Sequence, residues 1–285
     1  MDIECQECAP ATETHLVASR CVGEAYKVQV MLPVREPGTV ASYPVVYVTD
    51  GNLHFDVLRG IAYNIQASQS SAPRFILVGI GYPGESRELD DLRRGRDMIF
   101  EGYPNVESTS RRSFGAENFQ QFIGQELIPF IDERYPTVIG DRTYFGHSLG
   151  GGFGLFTLFT RDALFRNYII SSPGLTYSGE SPSGDRYDNY DFLLQRARDF
   201  IVAGRSLESV RLYMSVGTEE EFEVELVQWQ LTSSFYRMVK VLRASPIMGL
   251  ALNTEAFPNE THATAWPISF VHGIRAIFEP RCSQV

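Results

Sequence analysis

"TYFGHSLGGGFGLF", residues 143–156, sets a serine two residues from a glycine on either side, where a short apolar run meets a helix-like apolar pattern. A strand ending at Gly-His-Ser-Leu-Gly (146–150) and a helix starting at Leu149 are the context in which such a spacing carries chemistry. A serine in a sharp turn there projects its hydroxyl above the edge of a sheet. Gly146 and Gly150 suit the turn because side chains at those positions would strike neighbouring backbone. The helix aims its free N–H groups and its dipole at the point where an oxyanion would develop. A glycine-rich packing turn without chemistry has the same local pattern, so the reading needs partners elsewhere in the chain.

Working outward, short apolar runs alternate with longer amphipathic ones. "ETHLVAS" (13–19), "EAYKVQVMLP" (24–33), "YPVVYVTDG" (43–51), "FILVGIGYP" (75–83), "NYIISSP" (167–173), "VRLYMSVG" (210–217) and "MGLALNTEAF" (248–257) read as strands. "AENFQQFIGQELIPFIDERY" (116–135) reads as a helix with one apolar stripe, kinked by Pro129. Further helices are expected near 190–203, 222–244 and 265–278. The alternation predicts an α/β fold with a mostly parallel central sheet covered by helices on both faces. No repeat or composition shift marks a linker, and residues 1–285 read as a single domain. Two polar segments interrupt the alternation, 81–115 with six arginines and 173–190 rich in Gly, Ser and Tyr. Both follow predicted strands, so both are expected at the sheet edge where ligands bind. Arg96 in the first and Tyr177 in the second are candidates for substrate contact. Ion pairing with Glu85, Glu88, Asp90, Asp91, Asp97 and Glu101 is the competing use of the arginines.

A serine hydroxyl needs a base, and the base an orienting acid. Only His262 and His272 follow Ser148 in the chain. His262 lies in "FPNETHATAWP", expected as a polar loop at the sheet edge, whereas His272 lies within a helical pattern; His262 is the preferred base. The acid is expected just after "VRLYMSVG", where Glu219, Glu220 and Glu221 all qualify. His147, beside the serine, is expected to point away from it as a packing residue.

The 25 Lys+Arg and 35 Asp+Glu give a formal charge of −10, which disfavours nucleic acid and anionic membranes as partners. No apolar run is long enough to span a bilayer. The acidic start "MDIECQECAPATETH" shows no signal-peptide pattern, and a cytoplasmic location is expected. "CQEC" places Cys5 and Cys8 at metal or redox spacing, but nothing nearby completes four ligands, so they read as free thiols. The expected reaction is ester hydrolysis on a small-molecule substrate, with no metal and no organic cofactor. Acyl transfer or thioester hydrolysis would use the same residues, and a non-catalytic binding module is the reading from another class.

The motifs "VVYVTDGN", "RRGRD", "GAENFQQFIGQELIPFIDERY", "GHSLGG", "ISSPGL", "SVGTEE" and "ETHATAWPISFVHGIRAIF" together resemble the α/β-hydrolase esterases. That family includes enterobactin-type siderophore esterases, S-formylglutathione hydrolases and feruloyl esterases. The resemblance runs from about residue 24 to 279 and is stronger to the siderophore-esterase branch. It implies an acyl-enzyme formed on Ser148, a triad completed by His262 and Glu220, and a siderophore trilactone or macrolactone as one possible substrate class. It also implies an oxyanion hole at the backbone N–H groups of Leu149 and Gly51, and it sets His54 beside that hole as a pocket-lining residue. "SSPGLTYSG" lacks the tryptophans many relatives carry there, so no aromatic wall is expected from that segment.

Overall fold

The computed structural model describes residues 11–33, 41–68, 72–84, 86–103, 114–160, 164–180 and 186–278. Cys5 and Cys8 lie outside the described residues. The strands are β1 (Thr12–Ala18), β2 (Ala25–Met31), β3 (Tyr43–Val48), β4 (Ile76–Gly81), β5 (Thr137–His147), β6 (Asn167–Ser171), β7 (Tyr177–Glu180), β8 (Arg186–Tyr190), β9 (Val210–Gly217) and β10 (Leu250–Phe257). The helices are α1 (Gly51–Ala67), α2 (Arg87–Met98), α3 (Ala116–Gln121), α4 (Ile128–Arg134), α5 (Leu149–Leu158), α6 (Phe192–Val202), α7 (Leu231–Ala244) and α8 (His262–Phe278).

Eight strands form one sheet in the order β1-β2-β4-β3-β5-β6-β9-β10. All neighbours from β4 to β10 in that order pair in parallel, while β2 and β1 add an antiparallel edge. This is the α/β-hydrolase architecture, and the period-two strand pattern accounts for it. In β3, Tyr43, Val45 and Tyr47 enter one core while Val46 and Val48 enter the other. Likewise Tyr144 faces α5 and Phe153, and Phe145 faces Phe270 of α8. Strands buried on both faces need apolar residues at every position, which is why they read as continuous runs.

Three helical expectations change. Residues 122–127 form a π-helical stretch between α3 and α4, because Pro129 has no N–H and its ring crowds the preceding turn. The first polar segment contains α2, whose Ser86 hydroxyl accepts from the Leu89 N–H. The second forms the antiparallel β7–β8 ribbon. The helix expected over 222–244 starts only at Leu231; before it, 3₁₀ turns occupy Glu220–Phe222 and Val227–Trp229. Gln230 breaks the helix in the left-handed conformation at φ 45°. Its amide donates to Asn189 Oδ1 (2.7 Å) and Ser178 Oγ (3.1 Å) on the β7–β8 ribbon, and its carbonyl oxygen accepts from Arg237. Tertiary bonds thus outweigh local helix propensity.

Gly146 is the next-to-last residue of β5, under the turn that carries Ser148, and a Cβ there would lie 2.4 Å from the Gly150 carbonyl oxygen. Gly146→Ala is expected to destabilise the fold by about 2–3 kcal/mol, seen as a lower urea midpoint at unchanged m-value. A midpoint equal to wild type would show that the turn relaxes around the methyl group.

Candidate active site

Ser148 stands between β5 and α5 at φ 58°, ψ −119°, a backbone region that non-glycine residues rarely occupy. Its N–H donates to the Ser171 carbonyl (3.0 Å), and its carbonyl accepts from Gly152 N–H (2.9 Å), so both sides of the turn are pinned. A Cβ on Gly150 would sit 2.6 Å from Thr49 Oγ1. Tyr144 locks the turn from below, donating to the Gly150 carbonyl (2.6 Å) within bonding distance of Thr49. The strained strand-to-helix turn expected from the spacing is therefore present.

Two helices begin at this edge. Leu149 is the first residue of α5 and Gly51 the first of α1, so neither N–H has an acceptor within its own helix. Leu149 lines a cavity of about 210 Å³ with Ser148, Arg94, Tyr103, Gly174, Trp229 and His262. Gly51 packs on β4, where a Cβ would come within 3.0 Å of the Gly79 and Ile80 backbone.

His262 opens α8 rather than lying in a loop. Glu223 accepts its main-chain N–H at 2.6 Å and so caps the helix. Its Nδ1 lies 2.7 Å from Glu220 Oε2. Glu220 is fully buried, and its other oxygen accepts from Gly217 N–H and Ser172 Oγ, both at 2.6 Å. The neighbouring acids are used differently. Glu221 accepts from the Ser233 N–H and hydroxyl at the start of α7, and Glu219 accepts from Thr218 Oγ1 (3.3 Å). Of the three acids left open by the sequence, Glu220 is the one that meets His262. His272 instead pairs with Glu255 (2.9 Å) at the far part of α8.

His147 is buried. Its ring lies tilted by 39° against that of His262, with centroids 4.3 Å apart, and its Nδ1 lies 3.1 Å from Ser171 Oγ. His54 sits edge-on to His147 at 5.9 Å and packs on Trp266 at 4.5 Å. All three histidines line a second, larger cavity of about 770 Å³ with Leu53, Arg87, Leu226 and Trp266. His262 borders both cavities. Among the described residues, no group of three or more His, Cys, Asp or Glu is arranged to hold a metal ion.

Burial holds the His147 pKa well below the ordinary histidine value, and neighbouring His262, His54 and Arg94 add to the effect. Burial also lowers that of His54, against the opposing pull of Asp50. Both rings are neutral in the folded protein near neutral pH and ordinary histidines when unfolded. Their contribution to stability is therefore present above the unfolded value of about 6.5 and is lost as pH falls below it. The melting temperature is expected to drop between pH 7.5 and 5, with a smaller drop in His54→Gln. An unchanged drop in that variant would exclude His54 as a source.

Arg94, not Arg96, is the arginine of the first insertion that lines the Ser148 cavity. Its Nε donates to Asp50 Oδ1 at 2.6 Å; burial works against its charge, but the Asp50 carboxylate outweighs it and raises its pKa. Arg96 is held by Asp97 (2.5 Å) and Glu24 (2.6 Å), and Asp97 also accepts from Tyr26, so Arg96 braces the insertion against β2. Arg93 likewise pairs with Glu24 (3.2 Å). Tyr177 is buried behind Trp229, with ring centroids 4.9 Å apart, and does not line the Ser148 cavity. Trp229 and Tyr103 form the aromatic wall that the sequence did not reveal. Neither lies in the "SSPGLTYSG" segment; Trp229 ends a 3₁₀ turn just before the αL residue Gln230, and it borders the cavity.

The sequence model of the Esterase family, described as "Putative esterase", matches residues 19–270. The chain belongs to this esterase family. It is 27% identical over 284 residues to ferri-bacillibactin esterase BesA of Bacillus subtilis (strain 168), covering 95% of this chain and 91% of the relative. It is 28% identical over 236 residues to a siderophore enterobactin esterase of Emericella nidulans, covering 75% of this chain and 73% of that protein. Among solved structures, the BES protein from Bacillus cereus superposes with a TM-score of 0.75 at 26% identity, covering 96% of this chain and 98% of that one. This esterase hydrolyses carboxylic esters, and the two curated relatives named above are siderophore esterases. Among its described residues no helix is long and apolar enough to cross a membrane.

Proposed function

We propose that the esterase works through a Ser148-His262-Glu220 triad and an acyl-enzyme on Ser148, with siderophore lactone esters as substrates. The observation that carries the triad is the His262 Nδ1–Glu220 Oε2 contact of 2.7 Å, on a histidine that shares a cavity with Ser148. With Nδ1 held by the carboxylate, Nε2 is the nitrogen left to take the serine proton. The serine oxygen attacks the ester carbonyl, and the amides of Leu149 and Gly51 receive the oxyanion. His262 then returns the proton to the departing alcohol, and water hydrolyses the acyl-enzyme by the same route.

The names of the relatives support the substrate class, and the walls suit it chemically. Tyr103 and Trp229 offer stacking faces, and Arg94 offers a cation beside the serine. A fluorophosphonate probe is expected to label the chain once, at a peptide containing Ser148. A hydrolysis panel should favour a catecholate trilactone over short neutral esters by kcat/KM. Equal rates across the panel would remove the siderophore assignment and leave the esterase.

Glu220→Gln is expected to lower kcat about 10³- to 10⁴-fold, since a carboxamide neither stabilises the imidazolium nor fixes its tautomer. Glu219→Gln should stay near wild type, and Glu221→Gln should chiefly lower thermal stability through the start of α7. If Glu221→Gln matched Glu220→Gln in kcat, the assignment of the acid would fail.

A further inference from the structure

We infer that His147 is a positioning residue: a neutral imidazole that sets the plane of the His262 ring and covers one side of it. The inference rests on the reading of His262 as the base. Three observations lead to it. The parallel register of β5 and β6 sets His147 opposite Ser171, at the last pair of the ladder. Ser171 Oγ, 3.1 Å from His147 Nδ1, then fixes the rotation of the His147 ring. The ring held in this way lies 4.3 Å from His262, centroid to centroid, at an interplanar angle of 39°.

One hydrogen bond to Glu220 fixes where His262 Nδ1 sits but leaves the ring free to tilt about that bond. A face packed at van der Waals distance removes that freedom. The direction of Nε2 decides the catalytic hydrogen bond, and displacement by about 1 Å can cost on the order of 10²-fold in rate. The packed ring must also be uncharged, since a second imidazolium would repel the one that His262 forms during turnover. His147 is 6% exposed, in a position where carrying a charge is costly.

The charged and titratable groups around the pair come from every neighbouring element. Glu220 and Glu223 approach His262 from the 220–223 turn, and His54 approaches His147 from α1. Arg94 of α2 borders the small cavity, while Arg87 and Glu225 border the large one. His147 is thus the group whose ring packs against the base while making no ion pair with it.

The experiment uses the full chain, a chromogenic short-chain ester, and four variants: His147→Ala, His147→Phe, Ser171→Ala and His262→Ala. His147→Ala is expected to lower kcat about 10- to 100-fold with KM within about twofold of wild type. The acidic limb of its kcat/KM profile should move upward, because water admitted beside His262 solvates the charged ring. His147→Phe keeps a packed neutral face and should retain kcat within about threefold, with the acidic limb in place. The downfield NMR resonance of the Nδ1 proton shared with Glu220 should persist in the Phe variant and broaden in the Ala variant. Equal losses in both variants, with limb and resonance unmoved, would make His147 a structural residue and overturn the inference. Should His147→Ala fail to fold, Ser171→Ala frees the same ring; about a 3- to 10-fold loss in kcat is expected, and wild-type kcat would overturn the inference. His262→Ala separates the two levels. An active His262→Ala enzyme would remove the base assignment itself, whereas an inactive one leaves His147 to be judged on its own variants.

Discussion

Ser148→Ala is expected to lower kcat for ester hydrolysis by roughly 10⁴- to 10⁶-fold while leaving the fold intact. The substitution removes one oxygen from a residue whose main chain is tied into the turn, N–H to Ser171 and carbonyl to Gly152, and leaves both of those bonds in place. The cost therefore falls on the chemistry. Alanine also tolerates the Ser148 backbone conformation no worse than serine, since both carry a Cβ, so the strain at φ 58° is unchanged. The expected pattern is loss of probe labelling, loss of turnover, and a melting temperature within a few degrees of wild type. Labelling that survives in Ser148→Ala would place the nucleophile elsewhere.

His262→Ala is expected to cost about as much as Ser148→Ala, because nucleophile and base act as a unit, and the double variant should be little worse than either single one. Here the structural consequence is larger. The substitution strands the fully buried Glu220 carboxylate, which keeps Gly217 N–H and Ser172 Oγ but loses its ring partner. A buried acceptor losing one of three partners costs about 1–3 kcal/mol. His262→Ala should therefore be both inactive and measurably less stable than Ser148→Ala. His272→Ala is the control: it breaks a half-exposed pair with Glu255 and should keep wild-type kcat. If His272→Ala abolished activity and His262→Ala spared it, the triad would be wrong although the nucleophile turn would stand.

The sequence by itself determined the sheet and the strained turn at Ser148, and it favoured His262 over His272 as the proposed base. Each is written in local patterns: apolar runs for strands buried on both faces, glycines where a Cβ has no room, and a histidine placed after the last strand. Those signals survive folding because every neighbour in three dimensions enforces the same preference. What only the tertiary structure decided are the contacts made between segments distant in sequence. Glu219, Glu220 and Glu221 are chemically identical, and Glu220 is singled out by Gly217, Ser172 and His262 converging on it. Arg94 and Arg96 sit two residues apart on α2 and so point to different sides of it. One meets Asp50 beside the serine, and the other meets Asp97 and Glu24 behind it. Trp229 lies outside α7 because Gln230, bonded across to the β7–β8 ribbon, delays the start of a helix that local propensity would have begun earlier. Side-chain chemistry can be read along the chain, but which copy of that chemistry faces the reacting atoms depends on cross-chain hydrogen bonds and packing that have no local signature.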